Sequence, residues 1–182
     1  MKAAFEKIQK GSGDSFICQE YQLPSFDSPY HYHPEFEITW IVSSSGQRLV
    51  GDHVGRFDEG DFVLHGANLP HAYYNDASFV GVAHSRVIQF REDCLGDDFF
   101  DLAEMSLVKA LLEKTKRGLW FQGDTRQEAI ERLELIFMSE GLRRITHFIN
   151  LLDSLSCSTE YEYLASEYFS PGLNSRQAER IN

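Results

Sequence analysis

At 182 residues, with a 42% hydrophobic share that includes 14 Phe, the chain has the size and apolar content of one domain with a helical appendage. No stretch approaches the run of about 20 apolar residues that a membrane-spanning helix requires, and Met1 to Lys10 lacks the apolar segment of a signal peptide. The net charge of -11 would on balance repel a polyanion, so any contact with DNA is expected to be made elsewhere than in this chain.

From about Asp14 to Arg91 the sequence reads as short strands broken by Gly, Asp and Asn. Phe36 to Ser43 alternate strictly, with Phe36, Ile38, Trp40 and Val42 on one face and Glu37, Thr39 and Ile41 on the other. Gln47 to Val50, a Gly51-Asp52 turn, Val54 to Phe57, a Glu59-Gly60 turn and Asp61 to Leu64 continue the pattern. Phe79 to Ala83 and Arg86 to Phe90 complete it. Evenly spaced short strands with Gly-rich turns predict a closed barrel or jelly roll.

After Asp98 the period becomes helical. Leu102, Met105, Val108, Leu111 and Leu112 form a stripe that stops at Gly118. Thr125 and Glu128 have the spacing of a capping box at the head of a second helix, which carries Ile130, Leu133, Ile136 and Phe137 on one side. Gly141 breaks it, and Leu142 to Leu155 form a third helix with Ile145, Ile149, Leu152 and Leu155 at core spacing. The second and third helices are joined tightly enough to pair antiparallel. Ser170-Pro171-Gly172 reads as a breaker, and a helix begins at Arg176 that Asn182 leaves unfinished. The chain is therefore expected to stop at the start of a linker. The basic clusters Lys114, Lys116, Arg117 and Arg143, Arg144 are flanked by acids and read as solvated helix faces. Cys18, Cys94 and Cys157 share no CxxC spacing, which suits free thiols in a cytoplasmic protein.

Six of the seven His lie in the strand half. In Tyr30-His31-Tyr32-His33-Pro34-Glu35-Phe36-Glu37, both His and both Glu share parity, so an extended segment would point all four to one face, unless Pro34 disturbs the register. With His71 from a later strand, His31, His33 and Glu37 make a candidate divalent-metal set, tetrahedral or octahedral with open positions. A hydrogen-bond network among the same groups is the structural alternative. Trp40 shares the apolar face of its strand and reads as core, whereas Tyr73 shares parity with His71 and is a pocket candidate. His65 shares parity with Asp61 and Val63, so it either lines the barrel or faces solvent. His53 and His84 read as surface residues, as does His147 unless it lies at a dimer surface.

The spacing His31-x-His33-(three residues)-Glu37 resembles the first cupin motif, and Gly60 through Gly66, Asn68, His71 and Asn75 resembles the second. The Gly expected soon after Glu37 arrives only at Gly46, and Gly66 and Asn68 replace the Pro and second Gly of the second motif. Together with Phe57-Asp58-Glu59-Gly60-Asp61, Asn68-Leu69-Pro70-His71 and Phe90-Arg91, the segment His31 to Ile38 is similar to the sensor domain of AraC-type transcription regulators. The resemblance covers about residues 14 to 160. It implies a mainly β fold with an α appendage: a cupin (double-stranded β-helix, jelly-roll) barrel over 1–97, a dimerising helical segment over 98–160, and the start of a linker to an absent helix-turn-helix, DNA-binding domain over 161–182. It further implies a bacterial homodimer that binds a small polar effector, a sugar or a small acid, through His31, His33, Glu37, Thr39, His65, His71 and Tyr73. It implies no catalysis by this chain. The alternative is a small metal-dependent cupin enzyme, a dioxygenase or isomerase, that holds its metal with His31, His33, Glu37 and His71.

Overall fold

The computed structural model describes residues 2–9 and 14–169. The expected breaker at Ser170-Pro171-Gly172 and the helix from Arg176 lie outside them. The strands are β1 (Ala4–Phe5), β2 (Ile17–Leu23), β3 (His31–Tyr32), β4 (Phe36–Ser43), β5 (Gly46–Val50), β6 (His53–Phe57), β7 (Phe62–His65), β8 (His71–Asn75), β9 (Ala83–Phe90), β10 (Leu119–Phe121) and β11 (Tyr161–Tyr163). The helices are α1 (Ser106–Lys114), α2 (Gly123–Phe137) and α3 (Gly141–Cys157).

The strands form two sheets, in the order β1-β3-β8-β5-β6 and β11-β10-β7-β4-β9-β2. Residues from both sheets line one cavity, so the sheets face each other as in a jelly roll. The cupin-type barrel with appended helices matches the expected fold class, as two facing sheets rather than one closed ring.

The alternation along β4 decides which face does what. Phe36, Ile38 and Trp40 join Phe62, Leu64, Ile88, Phe90, Leu119 and Phe121 in one apolar cluster, with Val42 packed against it. That cluster continues into α1, α2 and α3 through Val108, Leu111, Leu112, Leu133, Ile136, Phe148, Leu151, Leu152 and Leu155. Barrel and helices therefore share a core across the expected 97/98 boundary. The opposite face of β4, with Glu37, Thr39 and Ile41, lines the cavity.

Several local expectations give way. Phe79 to Val82 is a loop: Gly81 has φ 151° and Val80 is 94% exposed, and of this apolar run Phe79 packs against the cluster of Phe26, Ile41, Phe57 and Ala83. The real strand is Ala83–Phe90, paired along its length with β2 and β4. Leu102 is half exposed and lies between two short 3-10 turns, before the helical stripe begins. No capping box forms on α2. The helix starts earlier, at Gly123 with φ 60°, and Glu160 accepts from the Thr125 amide at 2.8 Å while Glu128 pairs with Arg132. Residues Tyr161–Tyr163, at the head of the expected linker, pair with β10 as a strand of the larger sheet.

Gly66 shows why a glycine stands in the second motif. A Cβ there would lie 2.6 Å from the Thr115 carbonyl oxygen, where the chain leaving α1 crosses the end of β7. No helix among the described residues is long and apolar enough to cross a membrane.

Candidate functional site

Strand pairing brings the histidines together. His31 on β3 is the register partner of His71 on β8, and Glu37 on β4 lies opposite both His65 on β7 and Gln89 on β9. His33 follows β3 in the Pro34 break and reaches the same place, buried beneath the cavity. The ring centroids of His31 and His71 are 4.5 Å apart, those of His33 and His71 5.2 Å, and His65 stacks on His71 at 4.4 Å.

Glu37 is the hub. Its Oε1 accepts from Thr39 Oγ1 at 2.7 Å, and its Oε2 accepts from Gln89 Nε2 at 2.8 Å and faces His33 Nε2 at 3.1 Å. His71 Nε2 lies 3.4 Å from Oε1 without making a hydrogen bond. Burial alone would raise the Glu37 carboxyl, but the His71 charge and the His33 hydrogen bond hold it well below the usual carboxylate range. Burial would depress His33, yet the hydrogen bond and charge of Glu37 raise it above its ordinary value. His65 is pushed well down by burial and then by His71, and it meets the Tyr73 hydroxyl at 3.1 Å. Burial likewise drives Tyr73 well up, which keeps its phenol protonated.

The imidazoles are oriented by the backbone. Nδ1 of His31, His33 and His71 meets the carbonyl oxygens of Pro29, Glu35 and Leu69 at 2.8, 3.2 and 2.8 Å. A carbonyl only accepts, so each Nδ1 carries its proton and each Nε2 is left with the lone pair when the ring is neutral. All three Nε2 atoms face carboxylate oxygens, that of His31 the Glu6 carboxylate and those of His33 and His71 the Glu37 carboxylate, an arrangement that needs either extra protons or a cation shared among them. A divalent cation fits these residues. Ligand atoms of His31, His33 and His71 all lie within 4.8 Å of one another. Nitrogens on a common zinc ion are about 3.3 Å apart, so modest ring rotations would close the set. Glu37 stands behind this triad as its acceptor, already engaged by Thr39 and Gln89.

The cavity holds about 160 Å³. Of the seven expected ligand-binding residues, His31, Glu37, Thr39, His71 and Tyr73 line it, whereas His33 and His65 are packed behind. Five polar lining residues escaped the sequence reading: Glu6, Tyr21, Ser28, Ser85 and Gln89. Ser85, Val87 and Gln89 share one face of β9, so the matching parity of the polar Ser85 and Gln89 was a readable signal. Glu6, whose Oε2 lies 3.0 Å from His31 Nε2, is placed by the parallel pairing of β1 with β3, which nothing local announces. Trp40 is buried in the core beneath the helices, as expected.

No family model matches the sequence, and no curated protein sequence matches it. Solved structures do. The fold is similar to that of ToxT from Vibrio cholerae, in a structure with bound (E)-4-(8-methylnaphthalen-1-yl)but-3-enoic acid, at TM-score 0.52 and 11% identity over 92% of this chain and 66% of that one. It is also similar to the AraC-like transcriptional activator CuxR, at TM-score 0.52 and 9% identity over 82% of this chain and 51% of that one. A cupin 2 conserved barrel domain protein from Rhodopseudomonas palustris aligns over 46% of this chain and 57% of that one, at TM-score 0.38 and 14% identity. The chain thus spans about half to two thirds of the length of the structures it resembles.

Proposed function

We propose that this chain is the effector-sensing and dimerising part of an AraC-type transcription regulator, one that binds a small polar molecule in its barrel and reaches DNA through a separate domain. The carrying observation is a cavity of about 160 Å³ with hydrogen-bonding capacity left over. His71 Nε2 and Gln89 Oε1 are buried at it without partners, and a buried polar atom left unsatisfied costs about 1–3 kcal/mol. A ligand that supplies those bonds recovers that cost. Leu23, Phe26, Ile41 and Val87 give the same cavity an apolar side, so the effector has a polar end and a compact apolar body. The volume is below the roughly 300 Å³ at which drug-sized pockets begin, which favours a molecule the size of a small sugar or acid. The regulator-like fold and the net charge of -11 support sensing here and DNA contact elsewhere.

Bacterial origin, a cytoplasmic setting and a homodimer belong to the same reading. Leu152 is fully buried in the shared core, so a dimer contact falls instead on exposed residues such as Met138 and Leu142 at the α2–α3 turn. In the complete gene product, His31→Ala combined with His71→Ala abolishes the effector response of a reporter. Retention of the wild-type response contradicts the reading.

A second reading, a small metal-dependent cupin enzyme, is favoured by the convergent lone pairs of His31, His33 and His71. A divalent cation held there would supply Lewis-acid polarisation of a bound ligand. The chain's own residues would orient the imidazoles through Pro29, Glu35 and Leu69, with Glu37 balancing the charge.

A further inference from the structure

The Gly51-Asp52 turn between β5 and β6 touches both the carriers of the site histidines and the far end of the described chain. On one side, Tyr30, which precedes His31, donates its hydroxyl to the Gly51 carbonyl at 2.7 Å. The Gly51 amide donates to the carbonyl of Pro70, which precedes His71, at 2.8 Å, and Val50 is the register partner of His71. On the other side, Asp52 Oδ1 accepts from the Ser166 amide at 2.9 Å and Oδ2 from the Ser166 hydroxyl at 2.5 Å. A Cβ on Gly51 would lie 2.8 Å from Ala165 Cβ and 3.0 Å from the Phe169 ring, so residues 165–169 rest directly on the turn.

The same segment is anchored from within. Leu164 packs with Val50, Val63 and Leu69, and the amides of Leu164 and Ala165 donate to Gly118 and Arg117 at 3.0 and 2.7 Å. Val50 and Leu69 flank the turn and the His71 strand, so a shift of either histidine carrier moves groups that the segment touches. Contacts this dense transmit displacement because packed interiors do not deform freely.

We infer that the Gly51-Asp52 turn couples the state of the histidine site to residues 164–169, tightening or releasing that segment as Tyr30 and Pro70 shift. The inference deepens the sensing function proposed above and rests on it for its purpose, but the coupling is measurable without any effector. Coupling of this kind is reciprocal: what releases the segment must also alter the site.

The test uses the whole chain as it stands. Amide exchange of Ser166 is measured in wild type and Tyr30→Phe, and imidazole nitrogen resonances of His31 and His71 are recorded at one fixed pH in wild type, Asp52→Ala and Ser166→Ala. Asp52 is exposed, so Asp52→Ala leaves the fold intact, and Ser166→Ala is the milder second variant. Loss of one hydrogen bond predicts Ser166 exchange about three- to tenfold faster in Tyr30→Phe, with displaced His31 and His71 resonances in both other variants. Unchanged imidazole resonances in Asp52→Ala, with Ser166 released, overturn the coupling. Cobalt(II) is then added as a probe of the histidine site. Cobalt that binds without changing Ser166 exchange overturns the coupling and leaves the site standing. No cobalt binding, with imidazoles still displaced in Asp52→Ala, removes the metal reading and leaves the coupling standing.

Discussion

Gln89 lies opposite Glu37 in the β4–β9 register and donates its side-chain amide to Glu37 Oε2 at 2.8 Å, which leaves its own carbonyl oxygen buried and unpaired. The pair ties the hub of the histidine cluster to the strand that walls the cavity. Its two halves are unequal. Glu37 also balances His33, whereas Gln89 serves Glu37 alone, so Glu37→Ala is expected to destabilise the fold by about 3–5 kcal/mol, as for breaking a buried ion pair. Gln89→Ala removes one hydrogen bond to a charged group, about 1.5–3 kcal/mol. Urea unfolding of both variants measures this; equal losses would show that Glu37 carries no charge pairing.

The pH dependence follows from His65, whose folded value is depressed by burial and by His71. In the unfolded chain this group takes up a proton near pH 6.5, and in the folded chain it does not. The unfolded state therefore binds more protons below pH 6.5, and stability falls as pH drops below that point. His65→Gln cannot take up that proton. Melting temperatures between pH 7.5 and 5 should fall less steeply in His65→Gln than in wild type, and parallel curves would contradict this assignment.

A glycine at 66 is required by the close passage of Thr115. Gly66→Val forces the end of β7 and the chain after α1 apart, at about 1–3 kcal/mol for overpacking. Chemical denaturation reads it, and a variant as stable as wild type would show that the helical half can shift at no cost.

For assembly, Leu152→Asp places a charge in the core shared by barrel and helices and is expected to leave no folded protein. Leu142→Asp, at a position 77% exposed, keeps the fold and weakens a dimer built on the α2–α3 turn. Sedimentation of wild type as a monomer at micromolar concentration would rule that dimer out.

What the sequence made legible was whatever one strand or helix encodes by itself. The alternation of Phe36 to Val42 separated core from cavity correctly, and the HxH spacing with Glu37 and His71 located a real cluster. What escaped depends on pairing between distant segments. β10 and β11 are three residues each and exist because Leu119–Phe121 pairs both with β7 and with Tyr161–Tyr163. The capping of α2 comes from Glu160, 35 residues beyond Thr125, so the Thr125-Glu128 spacing misled. Phe79 to Val82 has the composition of a strand, but it runs as a loop through Gly81, with φ 151°, before β9 begins at Ala83.

The central claim, that the barrel holds a small polar molecule, is tested most directly by native mass spectrometry of the chain after incubation with a small-molecule extract of the cells that produce it. Wild type is expected to carry one small adduct per chain, lost in Ser85→Phe, which fills the cavity beside Tyr21 and Ile41 while leaving the triad intact. An adduct kept in full by Ser85→Phe, or none from any extract, would contradict the account.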